Sequence, residues 1–99
     1  KINENERKTI ENKDKSAKII TTLGSKGCEY EGNIISTTSV DVYDVCGAGD
    51  VFLAALVSRW IETRDMLKSL KTANNCAALS VTKLGCYTLK REEYENLCV

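Results

Sequence analysis

The order of apolar residues along these 99 residues predicts an α/β layered domain. Short β-branched runs bounded by glycine occupy residues 19–45, as strands require. A stretch that is apolar nearly all round follows from Val51, as a helix covered on most sides requires. After Asp65, apolar residues recur at three- and four-residue steps, the period of an amphipathic helix.

Each element follows from its residues. Ten of the first 18 residues are charged, and only Ile2, Ile10 and Ala17 are apolar. Such a segment cannot bury enough surface to order itself. Residues 1–17 are therefore expected to form a charged helix or a disordered arm, with residues 18–99 as the structured part. Ile19-Ile20-Thr21-Thr22-Leu23 reads as a strand ended by Gly24. Gly24-Ser25-Lys26-Gly27 is a loop with two permissive glycines. Cys28–Glu31 and Ile34–Ser36 read as a hairpin around a Gly32-Asn33 turn. Thr37 to Val45 is extended, and Val40, Val42, Tyr43 and Val45 place apolar groups on both faces, as in a covered sheet. A glycine turn spans Asp44 to Asp50, followed by a helix over Val51–Ile61. Asp65 is placed to N-cap a helix over Met66–Leu84, with Gly85 as its stop. A last short helix is expected over Lys90–Leu97.

Composition excludes several functions. Lys and Arg number 14 against 14 Asp and Glu, so the basic excess of a nucleic-acid binder is missing. The chain has no His, which removes Ser-His-Asp, Cys-His and His-ligated metal chemistry. No apolar run approaches the ~18 residues of a membrane span. The charged start lacks the apolar core of a signal peptide. The cysteines, at 28, 46, 76, 86 and 98, form no Cys-x-x-Cys pair, so no structural zinc site is expected. Their odd number, without a secretion signal, predicts reduced thiols in a cytoplasmic protein, most of them small core hydrophobes.

The most informative segment is Gly47-Ala48-Gly49-Asp50, a turn that enters a helix. Glycines there let backbone N–H groups converge on one point. The helix N-terminus adds about half a positive charge. The result suits a phosphate or a developing phosphoryl charge. Asp50 would repel such an anion unless it has another task, and accepting a proton from an attacking hydroxyl is one that fits. The competing explanation is an ordinary glycine turn with a stabilising first-turn Asp. Two other phosphate motifs are missing: there is no Gly-x-x-x-x-Gly-Lys-Ser/Thr, and Phe52 stands where a dinucleotide motif needs its third glycine. The loop Thr22–Gly27 follows a strand, so its backbone could approach a nucleotide or simply turn the chain. Asn74 lies at the edge of its helix's apolar stripe, where a polar residue needs a partner, either a ligand or a backbone group. Asn75 projects away from that stripe.

Together these segments resemble the pfkB/ribokinase family of carbohydrate kinases. Val42-Tyr43-Asp44-Val45-Cys46-Gly47-Ala48-Gly49-Asp50-Val51-Phe52 resembles its C-terminal signature. Thr22-Leu23-Gly24-Ser25-Lys26-Gly27 is similar to its nucleotide loop. Ala73-Asn74-Asn75-Cys76-Ala77-Ala78, with Val81-Thr82-Lys83-Leu84-Gly85 after it, is similar to its adenine-side helix and following turn. The signature's wording is nearest the heptose-7-phosphate kinase branch. The resemblance covers about residues 18–97 and implies the C-terminal portion of a ribokinase-like three-layer α/β/α fold, with strands, a hairpin and then helices.

The resemblance also implies roles. Asp50 would be the catalytic base, and the N–H groups of Gly47, Ala48 and Gly49 the anion hole. Thr22, Leu23, Gly24, Ser25, Lys26 and Gly27 would line the ATP phosphates and ribose, with Asn74 beside adenine. A monovalent cation such as K⁺ would take the Asp44 carboxylate and the carbonyls of Cys46, Ser80, Lys83 and Gly85. Mg²⁺ would arrive with ATP. The partners implied are ATP and a sugar or sugar phosphate, with neither nucleic acid nor membrane. Two features depart from the family. Cys46 replaces a usual hydroxyl residue, and nothing here corresponds to the sugar-binding Gly-Gly motif or the lid. The expected function is therefore ATP-dependent sugar phosphorylation by a parent protein, of which this chain is a C-terminal part inactive alone. The alternatives are a non-catalytic nucleotide-binding or regulatory module, and a purely structural α/β domain. A cut sheet leaves an unpaired edge, so the isolated chain is expected to be marginal, homodimeric or aggregation-prone.

Overall fold

The computed structural model describes residues 1–3, 18–37, 45–83, 85 and 88–98. Within them lie four strands, β1 (Ile2–Asn3), β2 (Ile20–Thr22), β3 (Cys28–Tyr30) and β4 (Asn33–Ile35). They form one sheet in the order β1-β2-β3-β4. β1 runs parallel to β2, and the other two pairings are antiparallel. A 3₁₀ turn, Gly24–Lys26, joins β2 to β3. Three helices follow: α1 (Ala48–Thr63), α2 (Met66–Val81) and α3 (Arg91–Leu97).

The register explains what the sheet buries. Thr22 pairs with Cys28 and Cys28 with Ile35, so these side chains share a face with Ile20. Ile20, Cys28 and Ile35 then join Phe52, Ala55 and Leu56 of α1 and Leu70, Ala73 and Cys76 of α2 in one core. Burying a residue of the size of Phe52 or Leu70 contributes about 1.5–3 kcal/mol. Ile34 sits on the opposite face and is exposed. Gly27 is required where β3 begins: its φ is +99°, and a Cβ there would collide with the Ile35 carbonyl.

Several expectations change in detail. Ile2–Asn3 is a strand, although residues 1–17 read as an arm; residues 4–17 lie outside the described residues. The hairpin turns at Glu31-Gly32, one residue before the expected Gly32-Asn33, because Tyr30 pairs with Asn33. Both turn residues have positive φ, 51° and 81°, as a two-residue type I′ loop requires. The extended segment expected over 37–45 falls mostly on residues 38–44, outside those described. Helix α1 begins at Ala48 rather than Val51, which draws Ala48, Gly49 and Asp50 into its first turn. Helix α2 ends at Val81, before Gly85, where the Thr82 hydroxyl donates to the Leu79 carbonyl at 2.6 Å. At its other end Asp65 caps as expected, its carboxylate accepting from the Lys68 N–H at 3.1 Å.

Two departures are larger. Helix α1 is not covered on most sides: Phe52, Ala55 and Leu56 are buried, but Leu53, Val57 and Ile61 are 43%, 48% and 62% exposed. These three lie four residues apart on one face, which the described residues leave open. Nor are all the thiols reduced. Cys28, Cys76 and Cys98 are free, whereas Cys46 is disulfide-bonded. Cys46 is exposed at a turn, so the core role expected of most cysteines holds for Cys28 and Cys76 but not for it.

Candidate functional site

The candidate site forms where three segments meet: the loop after β2, the N-terminus of α1 and the middle of α2. Gly47 is the N-cap of α1 with φ 76°, a left-handed conformation that favours glycine. It turns the chain so that the Ala48 N–H meets the Val45 carbonyl at 3.2 Å and the Val51 N–H meets the Gly47 carbonyl at 3.0 Å. The remaining first-turn amides, those of Gly49 and Asp50, have no carbonyl four residues back within the helix. No side chain caps this helix end. The loop after β2 closes on itself, the Leu23 N–H donating to the Gly27 carbonyl at 2.8 Å.

Thr22, Gly24, Ser25 and Gly27 of the loop, Ala48 and Gly49 of α1, and Asn74 of α2 line one cavity of about 240 Å³. Its apolar wall comes from Val45, Phe52, Ala77, Ala78 and Val81. A flat apolar group could lie against that wall while an anion meets the helix N-terminus. Leu23 and Lys26 belong to the same loop but do not line the cavity; Leu23 is half-buried and Lys26 exposed.

Gly47 and Asp50 face the other way. They line a larger open groove of about 1030 Å³, with Ala54, Ser58 and Glu62 of α1 and Thr88, Lys90 and Tyr94 across it. The first turn of α1 therefore separates two spaces, with Ala48 and Gly49 toward one and Asp50 toward the other. A carboxylate on one side and the Gly49 amide on the other is an arrangement that could serve transfer between two bound molecules. Across the groove, the Tyr94 hydroxyl donates to Glu62 at 3.0 Å, which ties α3 to α1. Burial, and then that bond to Glu62, hold the Tyr94 phenol above its ordinary pKa.

Asn74 is buried, and its amide is already engaged. It donates to the Ile35 carbonyl at 3.0 Å, and the Thr37 hydroxyl donates to its own backbone carbonyl at 3.4 Å. The backbone contact is thus present, and Asn74 borders the cavity as a strut between α2 and β4. Asn75, on the other side, donates to the Leu97 carbonyl at 3.3 Å and holds α3. Burial pushes the Cys28 thiol, beside Asn74, up to about 11.

The cation set is only partly in view. Asp44 lies outside the described residues. The Ser80 carbonyl accepts from the Lys83 N–H at 3.2 Å. Lys83 is exposed and Gly85 half-buried. Among the described residues no cluster of three or more acidic, Cys or His side chains could hold a metal.

One residue beside the site was not singled out from the sequence. The Lys1 ammonium lies against Gly49, so close that a Cβ on Gly49 would fall 2.9 Å from Nζ. Nothing in the sequence signals this, because a two-residue strand inside a charged run has no period to read.

Comparison with known proteins identifies the family and the fold. Residues 3–93 match the family model described as pfkB family carbohydrate kinase. Fructokinase-1 of Zea mays is 32% identical over 78 residues, covering 68% of this chain and 24% of that protein. The ribokinase of Thermotoga maritima superposes with a TM-score of 0.73 at 30% identity, over 81% of this chain and 29% of that one. The fructokinase of Vibrio cholerae, solved with fructose, ADP and calcium, gives 0.69 at 29% identity, over 83% and 30%. The chain thus spans well under half the length of the relatives it matches, and its fold is part of the ribokinase-like α/β architecture. By the family match and the fold together, the chain belongs to the pfkB family of carbohydrate kinases.

Proposed function

We propose that this chain is the nucleotide-side part of an ATP-dependent carbohydrate kinase, which transfers the γ-phosphate of ATP to a hydroxyl of a sugar or sugar phosphate. The observation that supports this best is the division of space at the first turn of α1. Adenine would lie against the apolar wall by Ala77, Ala78 and Val81, with the phosphates running toward Gly49. The sugar hydroxyl would approach from the groove that Asp50 lines.

Asp50 takes the hydroxyl proton as the oxygen attacks the γ-phosphorus. The N–H groups of Gly47, Ala48 and Gly49 would stabilise the charge on the transferring phosphoryl oxygens, the Ala48 amide by exchanging the Val45 carbonyl for the phosphoryl group. Mg²⁺ comes with ATP, held by phosphates and water. K⁺ would be held by the Asp44 carboxylate and the carbonyls of Cys46, Ser80, Lys83 and Gly85, where it would steady the anion hole. We place the activity in the cytoplasm, where ATP is supplied; no described helix is long and apolar enough to cross a membrane.

The named relatives include a fructokinase and a ribokinase, so free ketoses and pentoses lead the acceptors to try, with heptose phosphates after them. Sugar selection would belong to parts of the relatives that this chain does not span. We therefore expect the 99-residue chain to bind ATP without turning it over. The test is ADP formation over a panel of sugars, by the chain and by a parent protein that contains it. Asp50→Asn in the parent is expected to cut turnover about 10²–10⁴-fold while ATP binding persists. Unchanged turnover would remove Asp50 as the base, and robust sugar-dependent turnover by the chain alone would refute the partial-enzyme reading.

A further inference from the structure

Val45-Cys46-Gly47-Ala48 forms a closed turn at the head of α1. The Ala48 N–H donates to the Val45 carbonyl at 3.2 Å, and Gly47 has φ 76° and ψ 0°, the values of the third residue of a type II turn. Cys46 is the second residue of that turn, and it is disulfide-bonded. Among the described cysteines it alone is exposed: Cys28 and Cys76 are buried, and Cys98 is half-buried. The turn lies where the two spaces of the site meet, because Val45, Ala48 and Gly49 line the cavity while Gly47 and Asp50 line the groove. An anion that takes the Ala48 N–H must first displace the Val45 carbonyl, so the turn has to open. A disulfide confines its two Cα atoms to roughly 4–7 Å of each other, so a tether at the second residue opposes that opening.

We infer that Cys46, with Cys86 as its partner, is a redox switch on this turn, and that the disulfide holds the turn closed against the phosphoryl group. The inference rests on the nucleotide reading of the site and adds its regulation. The chain has five cysteines, and Cys28, Cys76 and Cys98 are free, which leaves Cys86, outside the described residues, for the pairing. A dithiol reductant supplies the electrons. One of its thiolates attacks the exposed Cys46 sulfur, the S–S bond breaks, and the Cys86 sulfur leaves as a thiolate and takes up a proton. The second thiolate of the reductant then attacks the mixed disulfide and releases the Cys46 thiolate, which is protonated in turn. Two electrons and two protons pass to the chain, and the reductant becomes a disulfide. The reduced turn can open, and the Ala48 amide can meet the phosphoryl oxygens. Oxidation closes the site and reduction opens it. That suits the cytoplasm proposed above, where disulfides are transient or redox-sensing.

The test compares the oxidised chain with the chain held in dithiothreitol. Peptide mapping of the oxidised chain is expected to give a Cys46–Cys86 linked peptide that the reductant abolishes. In calorimetric titration, ATP should bind the reduced chain about tenfold more tightly, the worth of one hydrogen bond to a charged group. AMP, which lacks the transferred phosphate, should change less than about twofold. Cys86→Ser should match the reduced wild type with or without dithiothreitol, whereas Cys98→Ser should keep the response. Without nucleotide, hydrogen exchange of the Ala48 amide should quicken on reduction. Equal ATP affinity in the two states, an equal change for AMP, a Cys86→Ser variant that still responds, or Cys46 found as a thiol or in another pairing would each overturn the switch. If neither nucleotide binds in either state, the nucleotide reading falls. Ala48 exchange that still quickens on reduction then supports the tether, and unchanged exchange removes it.

Discussion

Asn74 shows how one residue can serve the fold and border the site at once. Its amide bonds to the Ile35 carbonyl at 3.0 Å in the interior. Truncation to Ala leaves that carbonyl unsatisfied, and a buried orphan of this kind costs about 1–3 kcal/mol. Asn74→Ala is therefore expected to lower stability by that amount in urea unfolding, and to weaken ATP binding by loosening the cavity wall. The buried thiols set a pH dependence. Burial raises Cys28 and Cys76 from an ordinary 9.0 to about 11 in the folded chain. The fold therefore favours the neutral thiol, and this contribution is fully present below pH 9. It is lost as pH rises through about 11. Denaturant midpoints measured from pH 8 to pH 11 should fall across that window, and Cys28→Ala should flatten the fall. A flat profile for the wild type would show that the thiols do not ionise against the fold. At this scale the turn that enters α1 could be read directly, because Gly47 supplies the left-handed conformation it needs. Lys1 could not, since one lysine in a charged run looks like every other.

Among the elements, α2 was the most legible. Its apolar steps and the Asp65 cap both appear in the structure, and Asp65→Ala is expected to cost about 1 kcal/mol in thermal or urea unfolding. The hairpin was legible as a hairpin, but its turn was misplaced by one residue. Gly32 suits either turn, and only the pairing of Tyr30 with Asn33 puts Glu31 in the left-handed position. Glu31 is an unusual occupant there, so Glu31→Asn is expected to raise the thermal midpoint despite the loss of its exposed pair with Lys18. β1 was not legible, because two residues carry no period and their stability comes from pairing with β2. The start of α1 was also read too late. Glycine is a poor helix former, and local propensity does not show that Ala48 and Gly49 are held helical by the elements around them.

At the scale of the whole molecule, the sequence reads α1 as covered on most sides, and the structure leaves Leu53, Val57 and Ile61 in the open. Both are consistent if the stripe belongs to a larger core. The chain spans 24% of the Zea mays fructokinase and 29% of the Thermotoga maritima ribokinase. The smallest extent of the chain is 19 Å, room for about two layers at roughly 10 Å each rather than the full three. An apolar stripe of this kind drives association. Sedimentation of the isolated chain is expected to show dimers or larger species, and Val57→Glu with Ile61→Glu is expected to shift it toward monomer. A sharp monomeric transition for the unmodified chain would contradict that. The order of strands and helices, and the segments that resemble the family's nucleotide loop and signature, could be read from these residues, whereas no pattern among them reads as a choice of sugar.

On the proposed function, the cavity between the β2 loop, the first turn of α1 and the middle of α2 holds ATP. Titration of the isotopically labelled chain with ATP, followed by amide resonances, tests it most directly. Saturable shifts at Gly24, Gly27, Ala48 and Gly49, preserved in Asp50→Asn, are the predicted result. No shift at millimolar ATP, or shifts confined to the groove around Thr88, Lys90 and Tyr94, would contradict it.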